Sequence, residues 1–255
     1  MNRVVFSKMK YKELFQQEMN YEIGDDPELM EILQKFIFGE IFQTGNISDR
    51  ERELITIVLL TIQQTLPQLK AHTNAALNIG VTPLEIREAI YQCAPFIGFP
   101  KVLNAVATIN EVFKERGNLL PLESAKTITE EDRFQEGFDI QFPIYGDEIK
   151  NKMATLPDGL NEALPRFLTE MCFSDFYTRK ALDIKNRELL VLCGLVAINA
   201  NPQIQQHGAG NLKVGNSKET LISAILHCLP YIGFPYAINA VNVIKDLEEV
   251  DNNEL

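Results

Sequence analysis

The sequence predicts an all-α protein built by tandem duplication of one helical-bundle domain. Three observations carry that prediction. The stretch YQCAPFIGFPKVLNAVATIN at 91–110 returns as LHCLPYIGFPYAINAVNVIK at 226–245, a constant offset of 135 positions. Apolar residues recur at helical spacing through each copy. Proline and glycine fall between the periodic runs, where helices start and stop.

The offset holds without a gap over a long span. Arg52-Glu53-Leu54 matches Arg187-Glu188-Leu189, His72 matches His207, Gly80 matches Gly215, and Gly98-Phe99-Pro100 matches Gly233-Phe234-Pro235. Each copy has about 115 residues, the size of a small domain. The division predicted is residues 1–116, a linker at 117–146 with polar, Pro and Gly content, and a second copy at 147–255.

In each copy the elements follow in order. A helix is expected over about 27–43. RERELITIVLLTIQQ then sets Leu54, Ile55, Val58, Leu59 and Ile62 on one helical stripe, and Pro67 breaks the chain. QLKAHTNAALNIG forms the next helix, with Gly80 as its C-terminal cap. Thr82-Pro83-Leu84-Glu85 is a capping box with proline at the first helical position. It opens a helix that turns Leu84, Ile86, Ala89, Ile90 and Cys93 inward. Gly98 supplies the turn that follows. Pro100 fixes the start of the last helix, and Phe99 is expected to anchor that corner in a core. In the second copy Ser217-x-x-Thr220 lacks the capping glutamate.

Composition excludes several classes of function. The formal net charge is −11, which disfavours nucleic acid and anionic membrane surfaces as partners. The longest apolar runs, LLVLCGLVAI and LITIVLLTI, fall well short of the roughly 20 residues that span a bilayer. The N-terminus shows no apolar signal-peptide core, so a cytoplasmic protein is expected. Four separated cysteines with no Cys-x-x-Cys read as reduced, buried thiols.

Of the three histidines, His72 and His207 occupy the same place in both copies, and His227 aligns with Gln92. Glu53 lies 19 residues before His72, and Glu188 lies 19 before His207. In an antiparallel helical hairpin turning near Pro67 or Pro202, each Glu faces its His. Such a pair suits general acid–base chemistry, the carboxylate orienting the imidazole and favouring its cation. A buried pair that merely satisfies polar groups is the structural alternative. One Glu and one His per copy are too few ligands for a closed zinc site, so no metal is expected. No cofactor-binding motif is present either.

The run Arg-x-Arg-Glu-Leu, then LPQLKAHTNAALNIGVTPLEIREAI, then Ile-Gly-Phe-Pro, resembles the carboxymuconolactone decarboxylase family, in the superfamily that also holds the AhpD-type alkylhydroperoxidases. The resemblance covers roughly 27–116 and 160–250. It implies an AhpD-like helical bundle, with the family's glutamate at Glu53 and Glu188 and its histidine at His72 and His207. Where the peroxidase branch carries a Cys-x-x-Cys pair, this chain has Thr65 and Gln68, and Ala200 and Gln203, which disfavours hydroperoxide reduction. The resemblance implies instead a cofactor-free decarboxylase acting on a small unsaturated acid or lactone, with Glu40 as a second candidate acid. Arg52 and Arg187, with Phe99 and Phe234, are the expected substrate contacts. A non-catalytic oligomeric module that binds small molecules is the remaining alternative. The resemblance also implies a homo-oligomer, a trimer that mimics a hexamer of single domains.

Overall fold

The computed structural model describes residues 2–20 and 25–248, and every regular element among them is helical. The first copy comprises α1 (Arg3–Phe15), α2 (Pro27–Ile37), a 3₁₀ turn at Ile41–Gln43, α3 (Asp49–Gln63), α4 (Leu66–Asn78), α5 (Pro83–Tyr91), α6 (Ala94–Ile97) and α7 (Phe99–Glu115). The second comprises α8 (Arg133–Tyr145), α9 (Glu148–Met153), α10 (Leu160–Phe167) running into a π-helical segment at Leu168–Tyr177, α11 (Ile184–Ala197), α12 (Asn201–Lys213), α13 (Lys218–Ile232) and α14 (Phe234–Lys245).

The helix starts follow from capping chemistry. Ser48 and Thr82 each accept from the backbone N–H three residues on, and Glu51 and Glu85 return a carboxylate to the cap N–H. Ser217 caps α13 through Thr220 N–H alone. Gly80 and Gly215 follow α4 and α12 at φ +87° and +90°, left-handed backbone that a side chain disfavours.

The central helices are α3 and α11, which pack directly against each other. Every residue of α3 from Arg52 to Ile62 is buried, and so is every residue of α11 from Arg187 to Val196. A helix apolar nearly all round belongs inside a core, not on its edge. One continuous apolar cluster therefore runs through both copies, from Leu54 and Ile109 to Leu189 and Ile244. A smaller cluster under α1 joins Leu14, Met19, Ile37, Phe38, Phe42 and Ala75.

Two expectations change here. The 117–146 stretch contains α8, which buries Gly137, Gln141 and Ile144. It is the counterpart of α1, offset by 130 positions: both helices have 13 residues, and Arg3 on Glu40 repeats as Arg133 on Asp175. Gly137 and Pro143 inside the helix hid it, because both read as loop residues. Phe99 does not anchor a core corner. It is 53% exposed, and Phe234 is 61% exposed, because each begins its helix on the outer surface. The aromatics of the motif that pack against the core are Phe96 and Tyr231 instead, both partly buried and facing the opposite copy.

Candidate active site

α3 and α4 form the antiparallel hairpin that brings Glu53 to His72: Oε2 lies 2.9 Å from Nδ1, with the carboxylate fully buried. α11 and α12 repeat it, with Glu188 Oε2 3.0 Å from His207 Nδ1. Each Nδ1 is engaged by the carboxylate, which leaves Nε2 as the free nitrogen of the ring.

What surrounds the two pairs differs. At the second, Tyr145 from α8 donates to Glu188 Oε2 at 2.7 Å and lies 2.8 Å from His207 Nδ1. Tyr177 donates to Glu188 Oε1 at 2.9 Å. Burial, then the charge of Glu188, pushes both phenols far above their usual range, so both stay protonated donors. Gly210 makes room for Tyr145, since an added Cβ would lie 2.6 Å from the phenol oxygen. At the first pair the counterparts are Phe15, Phe42 and Ala75. Phe15 packs edge-on to His72 at 5.6 Å between centroids, and Glu53 Oε1 is buried with no hydrogen-bond partner.

The duplicated Cys-x-Pro-aromatic motif crosses between copies. Phe96 stands edge-on to His207 at 5.9 Å, and Tyr231, its counterpart, stands edge-on to His72 at 6.1 Å. Each histidine thus has a wall from the other copy. Tyr231 accepts from Thr56, whose hydroxyl lies 3.0 Å from His227 Nε2. His227 is fully buried and bonded to Arg52 O, and desolvation and Arg52 hold it well below the usual histidine range.

A cavity of about 260 Å³ opens beside His207. Its apolar wall includes Phe96, Ile149, Met153, Leu168, Cys172 and Phe173, and its polar groups include Gln141, Gln203, Gln206, Glu148 and Lys152. The volume suits a small molecule. Ala200 and Gln203 hold the two positions at which the sequence lacks a Cys-x-x-Cys. Burial pushes the Cys93 thiol up to about 12 and also raises Cys172 and Cys228 well above the usual thiol range, so none of the three presents a thiolate at neutral pH.

Several expected contacts lie elsewhere. Arg52 is buried against Ile41 O at 3.0 Å and Thr44 O at 2.7 Å. Arg187 is buried against Gln92 and Arg179 O, with Glu88 at 3.6 Å. Both guanidiniums bind turns rather than the cavity, because a buried cation needs fixed oxygen partners. Glu40 is paired with Arg3 and partly exposed, not turned to His72. Phe99 and Phe234 are on the surface. Tyr145, Tyr177, Phe96 and Lys152 escaped sequence reasoning; the signal for Tyr145 was the α1–α8 correspondence at its separate offset. Among the described residues no group of three or more His, Cys, Asp or Glu is placed to hold a metal, and no helix is long and apolar enough to cross a membrane.

Fold and site together define a duplicated all-α protein with a buried Glu–His pair in each half. The chain belongs to the carboxymuconolactone decarboxylase family, whose model matches residues 27–111 and 162–246. It is 34% identical over 86 residues to a nitrosuccinic acid decarboxylase of Metarhizium robertsii, a match covering 32% of this chain and 60% of that protein. It is 21% identical over 120 residues to a 4-carboxymuconolactone decarboxylase of Acinetobacter baylyi, covering 47% of this chain and 90% of that one. The crystal structure of a Burkholderia xenovorans protein assigned as a gamma-carboxymuconolactone decarboxylase subunit superposes with a TM-score of 0.53 at 19% identity, over 94% of this chain and 90% of that one. The fold is thus that of a two-copy member of the family.

Proposed function

We propose that the protein is a decarboxylase of small organic acids that works by proton transfer from histidine. The observation that carries this reading is His207, held at Nδ1 by Glu188 and Tyr145 beside a 260 Å³ cavity. In such a reaction the C–C bond to the carboxylate breaks and CO2 leaves. The electron pair passes into an electron-withdrawing group of the substrate, a carbonyl, lactone or nitro group. His207 Nε2 then delivers a proton to carbon, and solvent restores it. The electron sink belongs to the substrate, so the reading needs no cofactor. Glu188 and the two phenols hold the ring through the cationic state.

The decarboxylase relatives support this reaction class, and buried thiols argue against the peroxidase alternative. The test is CO2 release from 4-carboxymuconolactone and from nitrosuccinate by the purified protein. Release that His207→Gln reduces by about 10²–10⁴-fold supports the reading. No release from either acid by folded protein counts against it.

The same reading includes a homo-oligomer. Leu29 and Ile32 on α2 are 62% and 66% exposed, and their counterparts Leu164 and Phe167 on α10 are 49% and 52% exposed. Apolar surface repeated at equivalent positions in both copies suits burial between chains. Sedimentation of the purified protein tests this, and a monomer at micromolar concentration would overturn it.

A further inference from the structure

We propose that a cleft between α8, α9 and α10 is a second binding site, and that it takes a neutral aromatic molecule carrying a hydrogen-bond donor, a phenol or an aryl amide. The inference goes beyond the decarboxylase reading and makes no use of it.

The cleft has a volume of about 540 Å³, within the range of small-molecule sites. α10 packs on α9 and runs into the π-helical segment, which packs on α8. The gap left between them is lined by Phe134, Phe138, Ile149, Ala163 and Pro165. Phe134, Phe138 and Phe142 form a ladder along α8. Their centroids are 6.1 and 5.0 Å apart, and their planes are 14° and 26° from parallel. At the α1 offset of 130 positions the counterparts are Val4, Lys8 and Lys12, and both lysines are exposed. Where α1 presents solvated ammonium groups, α8 presents flat apolar rings, and Phe134 is half-exposed. A planar aromatic ligand in offset contact with Phe134 and Phe138 removes that surface from water.

Two amide atoms of the cleft lack hydrogen-bond partners among the described residues. Asn161 Oδ1, in the first turn of α10, is buried and accepts no hydrogen bond. Gln141 is 4% exposed; Thr169 donates to its Oε1 at 2.5 Å, and its Nε2 is left as an open donor. Buried polar groups left unmatched are costly, so the occupant that fits offers one donor to Asn161 and one acceptor to Gln141. A phenol or an aryl amide offers both. The charges at the rim balance: Lys150 and Arg166 are matched by Asp147 and Glu162, and Arg166 already pairs with Glu170 at 3.1 Å. A balanced rim favours a neutral molecule over an acid. The site is also placed to matter. Gln141 and Ile149 line this cleft and the His207 cavity alike, and the π-helical segment gives Thr169 to one and Cys172 and Phe173 to the other. Such helices are rare and frequent at functional sites.

The test is titration of the full chain with 4-fluorophenol and with 4-fluoroanisole, read by fluorine NMR of the ligand. The two differ in the hydroxyl donor, which the methyl ether lacks. 4-Fluorophenol is expected to bind about tenfold more tightly, the worth of one hydrogen bond. Asn161→Leu is expected to bring 4-fluorophenol to the level of the ether. Ala163→Phe fills the cleft without lining the His207 cavity, and it is expected to abolish binding of both. Thermal melting checks that the variants fold, and Asn161→Leu decides alone if Ala163→Phe does not. No binding of 4-fluorophenol, equal affinity for the two molecules, a preference for the phenol that survives Asn161→Leu, or binding that survives Ala163→Phe would each overturn the inference.

Discussion

Phe96 of the first copy stands edge-on to His207 of the second, ring centroids 5.9 Å apart, and so forms a wall of a cavity whose acid–base pair lies some hundred residues further along the chain. Tyr231 returns the arrangement at His72. The duplicated motif therefore does more than turn a corner. It ties each half to the other's histidine, and the two halves form a single packed unit around α3 and α11.

Phe96→Ala is expected to destabilise the whole chain by about 2 kcal/mol, below the 3–5 typical of fully buried Phe because the ring is partly exposed. It should also impair the His207 reaction from the other copy. Chemical denaturation that still shows one transition, with a lowered midpoint, checks the first point. Two separate transitions would show that the halves fold independently.

Tyr145→Phe gives the second site the phenylalanine found in the first. The loss of one charged hydrogen bond predicts about 1.5–3 kcal/mol of destabilisation and a lower kcat. Gly210→Ala should lower kcat in the same way, since its Cβ would meet the phenol 2.6 Å away. Ala in a helix interior otherwise stabilises by about 1 kcal/mol. A Gly210→Ala protein that is more stable and fully active would show that Tyr145 has no part in orienting His207.

His227 is held neutral by burial and by Arg52, well below its usual 6.5. Its folded pKa is depressed, so below about pH 6.5 the unfolded chain takes up a proton that the folded chain refuses. Stability should fall with pH at a slope approaching 1.4 kcal/mol per unit from this one group, until the folded pKa is reached. His227→Gln, the residue found at the matching position 92, should flatten the slope between pH 6.5 and 5. Denaturant midpoints across that range measure it, and an unchanged slope in the variant would rule His227 out.

Glu88 is completely buried and accepts from Arg179 at 2.7 Å and 3.0 Å, with Arg87 at 3.2 Å and Arg187 at 3.6 Å. Its counterpart is Ser223. Glu88→Ala leaves a cluster of guanidiniums without their carboxylate, and about 3–5 kcal/mol of destabilisation is expected. A loss under 1 kcal/mol would mean that water or another acid replaces it.

All four cysteines are buried, and burial raises Cys93 to about 12. Peroxide treatment of the folded protein should leave the four cysteine thiols unmodified in peptide mass spectra, and aromatic disulfide reagents should react only as fast as the chain unfolds. Rapid oxidation of any thiol in folded protein would reopen the peroxidase reading.

The Glu–His pairs were legible because both residues lie on consecutive helices joined by a short turn, where spacing alone sets which residues face each other. Arg52 and Arg187 were misread for the same locality. An arginine one position before Glu53 or Glu188 points to another side of the helix, roughly 100° away, and here that side meets the turns at Ile41–Thr44 and Arg179–Lys180. Phe99 was misplaced because its sequence neighbours give its helix position but not what lies outside that helix.

By itself the sequence determined the helical class, the duplication, the capping of α5 and α13, and the partner of each histidine. These are signals carried within about 20 residues by helix period and backbone chemistry. Only the tertiary structure decided which aromatic walls which histidine, that α8 supplies a phenol to Glu188, and that α9 covers one site with a lysine. Those contacts join residues 43 to 159 positions apart, and they depend on how the apolar faces of α3 and α11 pack together, which no local pattern specifies.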